Sequence, residues 1–260
     1  MSQFQNKVAV VTGASRGIGL CMTRMLAEQG AHVFFAARRE EMLREAETAL
    51  HADGLSVTAV RADVASDADC KTLIDRALGD KGQIDILVNS AGISGAQKPS
   101  WEVESHEMDE VMRVNVYGAL ACIRNAAPSM IARRSGAIIN ISSFTGKRPA
   151  VNRAVYATSK MALVGLSRTV ALELAPHQVR CNVVSPGPVE GERVQEVIGR
   201  AAKAQNKTEE EIRKEFVAWA PMGEIPTEEE ICGSIAFLAS DAARHITGQD
   251  LNVDGGIVMF

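Results

Sequence analysis

A tyrosine and a lysine four residues apart, Tyr156 and Lys160, stand inside a stretch of helical pattern that follows the polar run Ser142-Ser143-Phe144-Thr145-Gly146-Lys147-Arg148. On a helix that spacing puts the phenol and the ammonium on one face, one turn apart. A phenol ordinarily keeps its proton until near pH 10. A cation about 4 Å away, at an effective dielectric of about 20, favours the phenolate by about 4 kcal/mol. Desolvation of the pair opposes part of that gain. A phenol tuned in this way can give a proton to, or take one from, an oxygen held beside it. The spacing alone is common, and a surface helix with a half-buried tyrosine and a snorkelling lysine satisfies it equally well.

A second chemistry-bearing stretch lies near the start. Lys7 to Thr12 is a β-branched run that reads as a buried strand, and Thr12-Gly13-Ala14-Ser15-Arg16-Gly17-Ile18-Gly19 follows it. Ile18, Cys21, Met22, Met25 and Leu26 then fall at helical spacing, ending at Gly30. Strand, glycine-rich turn and helix in this order make a phosphate cradle, because glycine lets the backbone approach and the helix start offers free N–H groups. A tight turn without a ligand is the plain alternative. The next strand, His32 to Ala37, runs into Arg38-Arg39. In a dinucleotide fold an acid at this point accepts from the ribose 2′-hydroxyl, whereas an arginine suits a 2′-phosphate. Ala37 with Arg38, and Arg16 as a second cation, favour NADP over NAD; a solvated helix start is the alternative for the arginine pair.

The remaining elements keep the same alternation. Strands are expected at Leu55–Arg61, Ile84–Val88, Ala137–Ile141, Val179–Val184 and Asp250–Val253, with helices from Asp67, over Trp101–Met112 and Val111–Met130, up to Pro176, and from Thr227 to Ala239. Thr227 and Glu230 form a capping-box pair. Asn115 falls in a helix interior, where it costs propensity and so needs a partner or a purpose. Residues 190–224 carry two amphipathic helical patterns and no strand, as lids and binding loops do. Strand–helix alternation throughout predicts an α/β fold, a single Rossmann-type domain over residues 1–260 with a doubly wound parallel sheet of about seven strands and helices on both faces.

Composition narrows the classes. Over 260 residues, 46% hydrophobic and 23% charged content suits a globular protein with ample core. A net charge of −4 argues against nucleic-acid binding, which needs a basic face. No apolar run is long enough to span a bilayer, and MSQFQNK lacks a signal core, so a cytoplasmic protein is expected. Cys21, Cys70, Cys122, Cys181 and Cys232 form no metal-ligand spacing and read as reduced thiols; no metal is expected.

Taken in order, Thr12–Gly19, Asp63-Val64, Asn89-Ser90-Ala91-Gly92, Asn115, Ser143, Tyr156-x-x-x-Lys160 and Pro186-Gly187 closely resemble the classical short-chain dehydrogenase/reductase family from Lys7 to Gly256. The closing Gly248-Gln-Asp-Leu-Asn-Val-Asp-Gly-Gly256 is most similar to the 3-oxoacyl-[acyl-carrier-protein] reductase branch. Two features depart from the pattern. Asn89-Ser90 stands where two asparagines are usual, and the run after Pro186-Gly187 lacks the threonine that often bonds the nicotinamide carboxamide, leaving the Val189 backbone for that contact. The 190–224 excursion is also longer than is typical of acyl-carrier-protein reductases.

The resemblance implies a hydride exchanged between nicotinamide and a ketone or secondary alcohol. Gly13, Ser15, Arg16, Gly17, Ile18 and Gly19 would hold the pyrophosphate, Arg38 the 2′-phosphate, Asp63 and Val64 the adenine. Asn89, Ala91 and Gly92 would line the ribose path, and Pro186, Gly187 and Val189 the nicotinamide. Ser143 would hold the carbonyl oxygen and Tyr156 would protonate it. Lys160 would tune Tyr156 and bond the nicotinamide ribose, and Asn115 would hold a water beside Lys160. The family is usually tetrameric. Two other readings stay open: an NAD-dependent dehydrogenase of a secondary alcohol or sugar, and a catalytically silent NADP-binding sensor or scaffold. Arg148, Arg153 and Arg193 fall near the expected mouth and read as solvated loop arginines, or as a seat for an anionic substrate group. Phe216 and Trp219 read as an apolar wall or as the core of the 190–224 excursion.

Overall fold

The computed structural model describes residues 2–260, apart from the side chains of Glu192, Arg193 and Ala204. Seven parallel strands form one sheet in the order β3-β2-β1-β4-β5-β6-β7. They are β1 (Val8–Thr12), β2 (His32–Ala37), β3 (Val57–Arg61), β4 (Ile86–Asn89), β5 (Gly136–Ile141), β6 (Val179–Pro186) and β7 (Asp250–Val253). Helices α1 (Gly17–Glu28), α2 (Glu40–Ala52), α3 (Asp67–Lys81), α4 (Ser105–Met112), α5 (Gly118–Arg133), α6 (Ala154–Leu174) and α9 (Glu228–Ala239) flank the sheet. Between β6 and α9 come α7 (Glu192–Gln205) and α8 (Glu209–Trp219).

Every residue of β1 is buried, as a parallel strand covered on both faces requires. Its side chains divide with period two. Ala9 and Val11 pack with Met22 and Leu26 of α1, Leu43 of α2, and Ile231 and Ile235 of α9. Val8 and Val10 pack on the opposite face with Leu73 and Ile74 of α3, Met130 of α5 and Val170 of α6. A separate small core of Val194, Ile198, Ala202, Ile212 and Ile225 holds α7 to α8, with Phe216 packed against it. No described helix is long and apolar enough to cross a membrane.

The helix starts follow local chemistry. At α9, the Glu230 N–H donates to the Thr227 hydroxyl at 3.3 Å, and the Thr227 N–H donates to the Glu230 carboxylate at 2.8 Å, as the sequence predicts. Thr227→Ala is expected to lower the unfolding free energy by about 1 kcal/mol, measured as a lower urea midpoint at unchanged slope. An unchanged midpoint would contradict the cap's contribution.

One expected helix is broken in two. Trp101 sits in a 3₁₀ turn, Ser100–Glu102, and α4 begins only at Ser105, because Glu104 and Glu107 form a capping box of their own. A glutamate is an uncommon N-cap, which hides this start from the sequence. Between α4 and α5 lies a single π turn, Arg113–Tyr117, carrying Asn115.

Candidate active site

The glycine-rich turn lies at the point where the strand order reverses, since β1 has β2 on one side and β4 on the other. Crevices at such points, beyond the strands' carboxyl ends, are where α/β sheets take ligands. Gly13 has φ +67°, and a Cβ there would come 2.6 Å from the Ala91 Cα. The ends of β1 and β4 therefore approach backbone to backbone, which only glycine permits. A Cβ at Gly19 would lie 2.4 Å from the Gly13 carbonyl oxygen, so α1 is pulled tight onto the turn. Arg16 occupies the N-cap of α1 without a side-chain cap, and the first turn carries no acid. No acid of α1 itself meets its positive end, and the Glu228 carboxylate of α9 comes within 3.6 Å of where a Cβ on Gly17 would stand. Arg16 itself reaches Glu196 of α7 at 3.2 Å.

Along the carboxyl edge, Arg38 follows β2 with its guanidinium largely exposed and 4.0 Å from the Asp63 carboxylate. The turn at Asp63 is held by its N–H, which donates to Asp69 at 2.9 Å, and by its carboxylate, which accepts from the Ala65 N–H at 3.0 Å. The Asp63 N–H holds the Asp69 carboxyl below its ordinary range, outweighing the opposing effect of desolvation. Val64 is buried against Gly118. At the end of β4, Asn89 donates to Asn140 at 2.8 Å, and Asn140 donates to Ser167 at 2.8 Å. The Asn89 Oδ1 is buried with no hydrogen-bond partner among the described residues. Such an acceptor is costly unless something donates to it. An orphaned acceptor and a crevice floored by glycine fit a dinucleotide; Ser15 and Ile18 lie in the turn, and Asn89, Ala91 and Gly92 lie at and beyond the end of β4. Cys181, beside Asn140, is pushed up to about 12 by burial and stays a thiol.

Ser143, Tyr156, Lys160 and Asn115 converge beyond β4 and β5, each at least nine-tenths buried. Lys160 donates to the Ile141 carbonyl at 2.7 Å, and Ser142 donates to the Lys160 carbonyl at 2.9 Å, so the end of β5 and the second turn of α6 are stitched together. The Lys160 ammonium lies 5.6 Å from the centre of the Tyr156 ring. Ser143 stands one residue past Ser142, before the 3₁₀ turn Phe144–Gly146, with its hydroxyl 3.3 Å from that of Thr145. A Cβ on Gly92 would lie 3.3 Å from Asn115 Oδ1 and 3.4 Å from Lys160 Nζ, so the β4 loop touches both.

Asn115 has the partners that its place in a helix interior requires. Its carboxamide accepts from the Ile93 N–H at 2.8 Å and donates to the Ile93 carbonyl at 3.0 Å and to Ser159 at 2.9 Å. Ser159 in turn donates to the Tyr156 carbonyl at 2.8 Å. The asparagine thereby ties the loop after β4 to the helix of Tyr156. The π turn that presents it is a rare geometry concentrated at functional sites. Ile93 and Ser159 carry no signal in the sequence that would have singled them out. On the far side, Gly187 packs a Cβ-less face on Asp254, and its N–H donates to the Val253 carbonyl at 3.0 Å, holding the Pro186–Val189 turn against the end of β7.

At the mouth Arg148 is exposed, as a solvated loop arginine should be, and Arg153 is half-buried; each also covers a ring. Arg148 lies over the Trp219 ring at 5.5 Å and Arg153 over the Tyr156 ring at 4.7 Å. Trp219 also meets Phe216 at 4.6 Å and Phe144 at 6.3 Å. Both alternatives for this aromatic pair hold in part: Phe216 backs onto the core of the α7–α8 excursion, while Trp219 faces the Ser143 loop. The Arg193 side chain lies outside the described residues.

Comparison with known proteins agrees with this architecture. The family described as Enoyl-(Acyl carrier protein) reductase matches residues 13–258. A Streptomyces virginiae protein described as a ketoacyl reductase of the monensin polyketide synthase is 39% identical over 262 residues, covering all of both chains. The 3-oxoacyl-[acyl-carrier-protein] reductase of Staphylococcus epidermidis is 33% identical over 98% of this chain and all of its own. The crystal structure of an NAD⁺-bound xylitol dehydrogenase superposes with a TM-score of 0.92 at 32% identity, covering 98% of this chain and 100% of the other. By the family match over residues 13–258 and by relatives of 32–39% identity over nearly the whole chain, the chain belongs to the short-chain dehydrogenase/reductase family and is an NAD(P)-dependent oxidoreductase acting on CH–OH or C=O groups.

Proposed function

We propose that this chain reduces the keto group of a 3-oxoacyl thioester or a similar small polar ketone, with NADPH as reductant and Tyr156 as general acid. The observation that carries the reading is the buried convergence of Ser143, Tyr156 and Lys160 where β5 meets α6, one loop from the glycine-rich cradle. The bound nicotinamide supplies the hydride. Ser143 donates a hydrogen bond to the substrate carbonyl oxygen and keeps it beside Tyr156. The Tyr156 hydroxyl gives its proton to that oxygen as negative charge develops there. Lys160 stabilises the phenolate left behind and bonds the nicotinamide ribose. The Val189 backbone meets the nicotinamide carboxamide in place of the missing threonine, and Arg38 takes the 2′-phosphate. Asn115 keeps the loop and helix in register, and a water between it and Lys160 would return the proton from solvent. The ketoacyl reductases among the relatives support the substrate class.

The likeness to an NAD⁺-bound xylitol dehydrogenase favours a second reading, NAD-dependent oxidation of a secondary alcohol or sugar. A panel of 3-oxoacyl thioesters, enoyl thioesters, ketoses and polyols, assayed with both cofactors in both directions, separates the two. Reduction of 3-oxoacyl thioesters with NADPH at the highest kcat/KM is the expected result. Preference for a polyol with NAD⁺ would reverse the assignment. NADPH binding with no turnover on any of them would return the chain to the sensor class. The proposal includes a cytoplasmic homotetramer in which a second copy covers exposed apolar positions such as Leu120 of α5 and Met161 of α6.

A further inference from the structure

Lys147 follows the Ser143 turn, and nothing in the reaction above uses it. Its side chain is nevertheless almost sealed from solvent, at 8% exposed, as is that of Asp250 on β7, at 3%. The Lys147 ammonium meets the Asp250 carboxylate at 2.8 Å and donates to the Asn252 side-chain oxygen. The other carboxylate oxygen of Asp250 accepts from the Ser185 hydroxyl at 2.6 Å. Asn252 then donates to the carbonyls of Val258, at 2.9 Å, and Phe260, at 3.2 Å, in the C-terminal tail. One ammonium therefore joins the Ser143 turn to β7 and, through Asn252, to the last residues of the chain.

A buried ion pair is a poor device for stability, because desolvating both charges consumes most of what their attraction returns, and apolar side chains of similar volume often serve as well. What such a pair does supply is a single geometry. The turn it anchors is short: Gly146 N–H donates to the Ser143 carbonyl at 3.2 Å, and Lys147 N–H to that of Phe144 at 2.9 Å. On its other side the turn is seated on α6, where a Cβ at Gly146 would approach the Met161 nitrogen to 3.2 Å. Ser143 is thus gripped between α6, which carries Tyr156, and β7, to which Lys147 ties its turn.

We infer that Lys147 is a positioning residue for Ser143, holding its hydroxyl at the substrate oxygen by anchoring the turn to Asp250 and Asn252 of β7. The inference rests on Ser143 acting as proposed above. Lys147→Met alone would strand the Asp250 charge and lower stability, so the informative variant is Lys147→Met with Asp250→Leu, which removes both charges and fills their volume. In that double variant kcat for the best 3-oxoacyl thioester is expected to fall about tenfold, with KM and NADPH dissociation constant within threefold of the parent and a retained cooperative thermal transition. The same double change placed on Ser143→Ala should cost less than twofold, because a residue acting through Ser143 has nothing left to position. Full kcat in the double variant would overturn the inference, and so would a tenfold loss that persists in the Ser143→Ala background. Full activity of Ser143→Ala alone would instead overturn the assignment of Ser143 and the positioning role with it. Loss of the cooperative transition, not reversed when Lys147→Arg is compared, would make the network purely structural and also overturn it.

Discussion

Replacing Tyr156 by phenylalanine is expected to lower kcat by about 10³-fold while NADPH still binds within threefold of its affinity for the parent. Positioned proton transfer is worth about 10²–10⁴-fold, and the phenol is the group here with both burial and cations beside it. The Tyr156 ring is nearly buried, with Lys160 at 5.6 Å and Arg153 at 4.7 Å from its centre. Phenylalanine keeps the buried ring and Ser159's hydrogen bond to the main chain, and removes only the hydroxyl. The variant should therefore fold normally. Steady-state rates together with cofactor fluorescence titration check both halves of the expectation. Turnover within tenfold of the parent would remove Tyr156 from the chemistry, and parallel loss of NADPH binding would mean that the ring serves the cofactor instead.

Arg38→Leu should weaken NADPH binding by about 30-fold and leave NADH within about threefold. A hydrogen bond to a charged group contributes about 1.5–3 kcal/mol, and each 1.4 kcal/mol is tenfold in affinity. The largely exposed guanidinium stands beyond β2 with the Asp63 carboxylate 4.0 Å away, so it can turn to a phosphate at small cost. Ala37 at the strand end offers no carboxylate to a ribose 2′-hydroxyl. Equal weakening of both cofactors would show that Arg38 supports the fold of this edge rather than the choice of nucleotide. An unchanged NADPH affinity would transfer that choice to another cation, with Arg16 in the cradle the first to examine.

Much of the framework was readable from the chain because local and long-range requirements agree there. The run from Val8 to Thr12, the turn through Gly13 and the periodic apolar face of α1 each point to the same strand–turn–helix unit, and Thr227 with Glu230 marks a helix start by side-chain chemistry alone. Boundaries drifted where tertiary contacts set them. The fourth strand was expected from Ile84 but begins at Ile86, because the Asp85 carboxylate is spent on the Val8 N–H and Arg133. Asn115 stood out as a propensity conflict, which is how functional positions often show themselves, yet neither the π turn nor its grip on Ile93 and Ser159 follows from spacing. Lys147 was unreadable for a simpler reason: its partners lie more than 100 residues away on the last strand, and a lysine in a polar loop reads as solvated. The rings over Arg148 and Arg153 were equally unreadable, since the fold brings them there.

The central claim is that hydride reaches a ketone carbon while Tyr156 protonates its oxygen, and isotope tracing tests it most directly. NADPH carrying deuterium at the transferable C4 position would be mixed with a 3-oxoacyl thioester and an enoyl thioester together, and the products examined by mass spectrometry and NMR. Deuterium at C3 of a 3-hydroxyacyl thioester, formed by the parent and lost about 10³-fold in rate with Tyr156→Phe, is the predicted result. Deuterium found only in a saturated acyl chain formed from an enoyl thioester, with the 3-oxo substrate returned untouched, would contradict it.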